Sequence, residues 1–243
     1  MKHTSKILFF LILLLFSGNL TFAAKTKTFY VRITSSKGQI IVKLYNETPK
    51  NRDNFVKNVK KGVYNGTLFH RVIADFMIQG GDPSSKNAKP GAILGNGGLG
   101  YTVPAEFNPD LFHKKGALAA ARDGNLEKAS SSTQFYLVQG RVFTDDELNR
   151  IEQTSLQGRK IPLPIRQVYK TIGGTPHLDQ NYTVFGEVVR GLDKIDSIAS
   201  VEKDGNDRPL IDIPVKIALL KKREIKKLEN ELIKESFRKN LIM

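Results

Sequence analysis

The stretch FHRVIADFMIQGGD, residues 69–82, decides both the fold and the chemistry of this chain. It places one arginine and one glutamine among apolar and aromatic side chains, with a double glycine behind them. Ala74-Asp75 predicts a turn between two antiparallel strands. Because side chains alternate between the faces of a strand, this hairpin gathers four of them: Arg71, Phe76, Met77 and Gln79. The expected product is an apolar pocket with a cation at its rim.

The composition is that of a soluble globular protein, and the length permits one large or two small domains with a sizeable core. Of the 243 residues, 40% are hydrophobic and 26% are charged, a balance typical of folded domains. There is no cysteine, which fits an oxidising destination and means that no disulfide stabilises the fold. The formal net charge of +14 favours association with acidic surfaces and does not report the fold.

Residues 1–23 have the pattern of a secretory signal peptide. Lys2 and Lys6 precede ten consecutive apolar residues, and the small residues Thr21 and Ala23 suit cleavage after position 23. A permanent membrane anchor is the weaker alternative, because a helical span needs roughly 20 apolar residues. Removal of this segment leaves 36 basic and 24 acidic side chains, a net charge of +12. We therefore predict export, to a periplasm or out of the cell.

Periodicity predicts a mostly β chain with few helices. A strand hairpin is expected over residues 29–45, where every second side chain of the second strand is apolar. Thr48 and Pro49 predict an N-cap and the first residue of a helix. The other predicted elements are strands near residues 116–122, 133–139, 182–189 and 215–220, and a helix at 191–199.

Two segments stand apart from this pattern. Residues 144–171 predict a helical insertion, because residues 144–147 form a capping-box pattern and prolines open a second helix. Residues 221–243 carry eight basic and four acidic side chains around apolar positions at helical spacing, which predicts a basic amphipathic tail. The tail is either a solvated helix end or a surface that docks on an acidic partner or an anionic membrane.

Several spaced motifs resemble the cyclophilins, a family of peptidyl-prolyl cis-trans isomerases, and more closely its exported bacterial members. The resemblance covers residues 28–220 and rests on residues 69–82, 98–107, 132–136, Leu178 with 182–188, and 204–210. It implies a closed eight-stranded antiparallel β-barrel with two capping helices, to which this chain adds a helical insertion and a C-terminal helical tail. It also implies an enzyme without a cofactor.

The resemblance assigns roles residue by residue. Arg71 resembles the catalytic arginine of the family. The residues that resemble its substrate-binding positions are Phe76, Met77, Gln79, Ala121, Arg122, Asp123, Gln134, Tyr136, Leu178 and Tyr182. Tyr136 stands where phenylalanine is usual, His177 where well-known members carry tryptophan, and Tyr182 where they carry histidine. The last two departures imply weak cyclosporin binding, and the insertion is expected to lengthen one wall of the peptide groove.

This set of residues suits rotation about the bond before a proline. That rotation is slow because conjugation resists twisting by roughly 18–20 kcal/mol, so no nucleophile is required. Twisting restores a lone pair on the prolyl nitrogen, and the always-protonated guanidinium of Arg71 could donate to it. The hypothesis is an isomerase that acts on X-Pro bonds of unfolded or extended extracytoplasmic polypeptides.

Two alternatives stay open. The barrel could be a non-catalytic peptide-binding chaperone or docking module. Such a module would depend on the apolar pocket more than on a hydrogen-bond donor such as Arg71. Arg71 could merely pair with a carboxylate, such as that of Asp75 or Glu106.

Other signals predict nothing further. Residues 95–100 fit the G-x-G-x-x-G pattern, but no apolar strand precedes them and no helix can follow, so nucleotide binding is not expected. The histidines never occur at metal-ligand spacing, so no metal site is expected, and His70 is expected to make a local hydrogen bond. Aromatic residues do not interleave with the basic ones, so nucleic acid is not an expected partner.

Overall fold

The computed structural model describes residues 27–242, and the predicted signal peptide at residues 1–23 lies outside them. Strands dominate the core of the described chain. They are β1 (Phe29–Ser35), β2 (Gly38–Leu44), β3 (Phe69–Ile73), β4 (Met77–Gly80), β5 (Thr102–Val103), β6 (Ala117–Ala120), β7 (Ser130–Ser131), β8 (Phe135–Val138), β9 (Val184–Arg190) and β10 (Lys216–Leu219). The α-helices are α1 (Pro49–Lys60), α2 (Asp145–Gln153), α3 (Leu163–Thr171), α4 (Leu192–Ala199) and α5 (Lys222–Ile242).

Eight strands form one antiparallel sheet in the order β10-β1-β2-β9-β6-β8-β4-β3, and β5 pairs separately with β7. The sheet curls until the segments that precede its two edge strands meet. The amide of Phe69 donates to the carbonyl oxygen of Ile213 at 3.0 Å, and that of Val215 to the carbonyl oxygen of Thr67 at 2.8 Å. These bonds satisfy edge groups that would otherwise be open, and the expected antiparallel barrel is confirmed.

The barrel interior is filled by alternate residues of the strands and covered by two helices. Phe55 of α1 packs against Phe135 and Phe185, with ring centroids 5.5 and 5.4 Å away. Ile195 and Ile198 of α4 are fully buried. Burial of side chains of this size stabilises the fold by roughly 1.5–3 kcal/mol each, so these two helices hold the core closed.

The N-terminus of α1 is capped from a distant segment. Thr48 occupies the predicted N-cap position, but its hydroxyl makes no hydrogen bond within the described residues. The carboxylate of Glu106 instead accepts from the amides of Lys50 at 3.0 Å and Asn51 at 2.9 Å. A carboxylate suits this place because helix N-termini carry unpaired amides and a partial positive charge. The carboxylate of Glu106 therefore serves as a cap of α1.

The insertion between β8 and β9 has a small core of its own. Thr144 and Glu147 form the predicted capping box at the start of α2. The hydrogen bond from Arg141 holds the pKa of Glu147 down, at about 2. Five buried side chains make the core of this insertion: Phe143, Leu148, Leu156, Ile161 and Tyr169.

The C-terminal helix α5 lies against the outside of the barrel. Glu224 pairs with Arg32 of β1 at 2.6 Å, Glu235 pairs with Arg190 of β9 at 2.7 Å, and Leu228 is buried. The predicted helical tail is thus present and docked along much of its length. Within residues 27–242, none of the helices combines the length and the apolar character of a membrane span.

Candidate active site

Strand pairing places the predicted site residues in one row on the outer wall of the barrel. Arg71 of β3 pairs with Gln79 of β4, Gln79 pairs with Tyr136 of β8, and Tyr136 pairs with Ala119 of β6. Cross-strand partners share one face of a sheet, while their chain neighbours point to the other. Side chains therefore alternate along each strand between the core on the inner face and the site on the outer face.

The double glycine at the end of the hairpin allows the strands to come this close. Gly81 adopts a φ of 88°, a left-handed conformation that costs glycine nothing. A Cβ atom at this position would lie 2.5 Å from the carbonyl oxygen of Thr133. Any larger residue would push β4 away from the segment that leads into β8.

An apolar cleft of about 180 Å³ opens beside this row. Nine of the eleven predicted site residues line it: Arg71, Phe76, Met77, Gln79, Ala121, Arg122, Tyr136, Leu178 and Tyr182. Met77 and Tyr136 are almost fully buried and form its floor. The ring of Tyr182 meets that of Tyr136 edge-on, with centroids 6.0 Å apart. The cleft is thus a small apolar recess with a cation at its edge.

The other two predicted residues, Asp123 and Gln134, line a larger groove of about 900 Å³ that continues from the cleft. Sequence reasoning missed much of its lining: Asn96, Gly97, Gly98, Tyr101, Thr102, Ser131 and Ser132. The glycine-rich part of this wall has no periodicity to reveal which way it faces. It is held in place by Gln134, whose Nε2 donates to the carbonyl oxygens of Gly95 and Gly97 at 2.8 Å each.

The polar edge of the cleft is a short hydrogen-bonded chain. Nη1 of Arg71 donates to Oε1 of Gln79 at 3.4 Å, and Nε2 of Gln79 donates to Oε1 of Gln134 at 3.0 Å. Gln134 in turn holds the glycine-rich wall of the groove. These contacts fix Gln79 and hold Arg71 by one long hydrogen bond, so the cation lies at the rim of the cleft.

One alternative was that Arg71 pairs with Asp75 or Glu106, and the structure shows neither pair. The Nε atom of Arg71 lies 3.8 Å from Oδ2 of Asp207, and Oδ1 of the same carboxylate pairs with Nζ of Lys203 at 2.7 Å. The Arg71 side chain is 43% exposed and that of Asp207 32% exposed. Pairs this open contribute roughly 0–1 kcal/mol. The guanidinium therefore stays available to a group in the cleft.

Arg122 and Ala121 are held by contacts of their own. Nε of Arg122 donates to the carbonyl oxygen of Asn181 at 2.9 Å, and its guanidinium lies 4.6 Å from the centre of the Tyr182 ring. The main-chain amide and carbonyl of Ala121 both bond within the barrel, to Gln134 and Ser131. Ala121 therefore has both of its main-chain groups already used within the barrel.

One expectation near the site is wrong. The insertion does not lengthen the groove, because no residue from 144 to 171 lines the cleft or the groove. His70 is buried close to the site, and burial lowers the pKa of its ring, which stays neutral at pH 7. The insertion lies on the other side of the cleft.

The fold and the cleft define a class of protein: an antiparallel β-barrel with a small apolar recess beside an arginine on its outer wall. The family described as "Cyclophilin type peptidyl-prolyl cis-trans isomerase/CLD" matches residues 30–219. The chain belongs to this family, which makes it an isomerase of peptide bonds that precede proline.

Similar proteins agree with this family. A Staphylococcus saprophyticus protein named "Putative peptidyl-prolyl cis-trans isomerase" is 36% identical over 182 residues, which are 74% of this chain and 86% of the relative. A Staphylococcus haemolyticus protein of the same name is 34% identical over 76% of this chain and 87% of its own length. The crystal structure of a Cryptosporidium parvum cyclophilin type isomerase matches with a TM-score of 0.58 at 22% identity, covering 80% of this chain and 99% of that one. This last likeness supports the fold.

Proposed function

We propose that this protein accelerates rotation about X-Pro bonds in unfolded or extended polypeptides, with Arg71 as the residue that stabilises the twisted bond. The observation that supports this most is the position of Arg71: it lies at the rim of an apolar cleft, next to Gln79, and pairs only loosely with the half-buried Asp207. A cation in this place can reach the bond that links a bound prolyl ring to the preceding residue.

The cleft captures the prolyl ring. Its apolar walls are Phe76, Met77, Tyr136 and Leu178, and burial of one such ring in them gains about 1.5–3 kcal/mol. That is enough to hold one ring but too little for a tight complex, so the product leaves readily. The neighbouring groove, with Asp123 and Gln134 in its walls, accommodates the residues before the proline.

The rate increase comes from a contact that forms only in the twisted state. The planar imide nitrogen shares its lone pair with the carbonyl group, while the twisted nitrogen holds that pair and accepts a hydrogen bond. Donation from Arg71 to this nitrogen lowers the barrier because it favours the transition state over both planar states. Gln79 holds the guanidinium and meets the substrate backbone, so little reorganisation is needed.

A protease-coupled assay on a peptide with one X-Pro bond tests this function. The isomerisation rate is expected to rise in proportion to protein concentration, and to be unchanged by EDTA. Peptide binding without any rate increase would contradict the proposal and favour the alternative, a non-catalytic peptide-binding chaperone or docking module. In the same preparation, calorimetry with cyclosporin tests the weak binding that His177 and Tyr182 predict.

We further propose that the protein works outside the cytoplasm after loss of residues 1–23. The support is the sequence pattern of two lysines followed by ten apolar residues and small residues at Thr21 and Ala23. Mass spectrometry of the protein recovered from producing cells is expected to show a chain that begins at Ala24. A chain that still begins at Met1 would contradict export by this route.

The proposed partner of the tail is an anionic membrane surface. Three of the four acidic residues of α5 contact the barrel: Glu224 with Arg32, Glu229 with Tyr30, and Glu235 with Arg190. At 100° per residue, the opposite side of the helix carries basic residues and two exposed apolar side chains: Arg223, Lys226, Lys227, Ile233, Lys234 and Phe237. Cations around partly exposed apolar groups suit anionic lipid headgroups better than an acidic protein surface.

Charge reversal on α5 tests this surface. The double variant Lys226→Glu/Lys234→Glu is expected to bind vesicles of half phosphatidylglycerol at least about thirtyfold more weakly than wild type at low salt, because each of the two lost basic residues near an anionic surface contributes about 1 kcal/mol. The matched control Lys60→Glu/Lys61→Glu changes the net charge equally at exposed positions of another element. Equal binding by both variants would show that only total charge matters and would contradict the proposal.

A further inference from the structure

A buried chain of hydrogen bonds joins the insertion to the proline cleft. The hydroxyl of Tyr169 in α3 donates to Oδ2 of Asp179 at 2.7 Å. Oδ1 of the same carboxylate lies 2.8 Å from Nδ1 of His113, and Nε2 of His113 lies 3.0 Å from the hydroxyl of Tyr136. All four residues are at most 5% exposed. The last of them forms the floor of the cleft.

Chemistry sets the direction of each bond in this chain. An ionised carboxylate only accepts, so Nδ1 of His113 carries a proton. In the neutral form of the ring, Nε2 then accepts from the hydroxyl of Tyr136. Burial raises the pKa of both Tyr136 and Tyr169 well above the usual value, so both hydroxyls stay protonated. The amide of His113 also donates to Oδ1 of Asp179 at 2.9 Å. Every polar atom in the chain has a partner, which favours a single arrangement.

This chain of hydrogen bonds supports two walls of the cleft at once. The ring of Tyr136 lies nearly parallel to that of His113, with 12° between the planes and 6.0 Å between centroids. Leu178, a second wall residue, directly precedes Asp179 in the sequence. A displacement of the Asp179 carboxylate would therefore move both the floor and one side of the recess.

The end of the hydrogen-bond chain that lies farthest from the cleft is Tyr169, which belongs to the insertion. Tyr169 packs edge-on against Phe112 at 5.5 Å and against Phe143 at 6.5 Å, inside the small core of that segment. Among the four linked side chains, Tyr169 is the one that residues 144–171 supply, and Arg159 of the insertion also donates to the main-chain carbonyl oxygen of Asp179. The insertion lines neither the cleft nor the groove, but these hydrogen bonds link it to the cleft floor.

We propose that Tyr169, Asp179 and His113 are positioning residues, through which the insertion sets the place of the Tyr136 ring and hence the fit of the prolyl ring. This rests on the proposed function, because it takes the cleft as the site of that ring. The Tyr136 hydroxyl, standing where the resembled family usually has phenylalanine, is the atom that receives the link.

The first test removes one hydroxyl and keeps the packing. Tyr169→Phe is expected to raise KM for a proline peptide roughly fivefold with kcat within about twofold, on the scale of part of a lost buried hydrogen bond. In the Tyr136→Phe background the same change is expected to have no further effect, because the link is already cut. An equal effect in both backgrounds would mean general destabilisation and would overturn the proposal.

A matched control uses another tyrosine. Tyr64 is 1% exposed in the barrel core, and its hydroxyl has no partner within the described residues. Tyr64→Phe is expected to leave KM unchanged. A KM increase in this variant equal to that of Tyr169→Phe would show that any buried tyrosine acts in the same way, and would also overturn the proposal.

A readout without activity separates this inference from the proposed function. Nitrogen-15 NMR of the histidine rings is expected to show His113 with its proton on Nδ1, and Tyr169→Phe is expected to shift both ring nitrogens while Tyr64→Phe does not. If the wild type proves inactive but these shifts occur, the function fails and the coupling stands. If the wild type is active and His113 does not respond to Tyr169→Phe, the coupling fails alone.

Discussion

Replacement of Arg71 by alanine is expected to lower isomerase activity at least about a hundredfold and to leave the fold intact, on the scale of losing one preorganised electrostatic contact. The fold should survive because the side chain is 43% exposed and makes only a loose pair with Asp207. Its hydrogen bond to Gln79 is long, at 3.4 Å. The lost activity should therefore appear in kcat, since the apolar cleft that binds the ring is unchanged.

The measurements separate catalysis from capture. Protease-coupled and proline-limited refolding assays give the rate, calorimetry with a proline peptide gives the affinity, and thermal unfolding reports the fold. Arg71→Lys keeps the charge but replaces a rigid fork of donors by a flexible ammonium, so it should recover only part of the activity. Near-normal activity in Arg71→Ala would refute the assigned role. Peptide affinity that falls as much as kcat/KM would mean that Arg71 only binds substrate.

Gly174→Ala is expected to lower the free energy of unfolding by at least about 3 kcal/mol, because no room exists for a Cβ atom there. The added carbon would overlap the carbonyl oxygen of His113 and lie 2.6 Å from Cε1 of Tyr169. Backbone on both sides prevents relief: the amide of Gly174 donates to the carbonyl oxygen of Arg141 at 3.0 Å, and a bridge joins it to Lys114. The same change would disturb the contact between the insertion and the barrel.

Thermal unfolding measures this effect against a glycine in open space. Gly158, also in the insertion, has a φ of +88° but no atom within 4 Å of an added Cβ, so Gly158→Ala should cost only about 1 kcal/mol of backbone strain. For a protein of this size, the expected difference of about 2 kcal/mol corresponds to roughly 4–8 °C in Tm. Unfolding of both variants at the same temperature would show that the structure near Gly174 relaxes freely.

Much of the barrel was within reach of the sequence because alternation reports which face of a strand is buried. The hairpin of residues 69–82 is local, so its turn at Asp75 and the neighbourhood of Arg71 and Gln79 follow from strand periodicity alone. The helix starting at Pro49 and the capping box at Thr144 are local signals of the same kind. The site residues beyond the hairpin came instead from resemblance to a family.

Long-range polar contacts were beyond prediction. Nothing near Thr48 indicates that Glu106, more than fifty residues away, accepts the first amides of α1. Nothing near Arg71 indicates Asp207 as its ion-pair partner. In the sequence, Glu106 and Asp207 are indistinguishable from acidic residues of any exposed loop. A sequence pattern gives polarity and spacing but does not identify the contact partner.

Periodicity and composition within short segments are enough to predict a mostly β chain, an arginine beside an apolar hairpin, an insertion and a basic tail. Three features become visible only once the barrel is packed. The row from Arg71 to Ala119 shares one face, three acidic residues of α5 turn toward the barrel, and Tyr169 reaches Tyr136 through two buried side chains. Register and side-chain hydrogen bonds depend on distances between segments far apart in the chain, and folding alone brings those segments together.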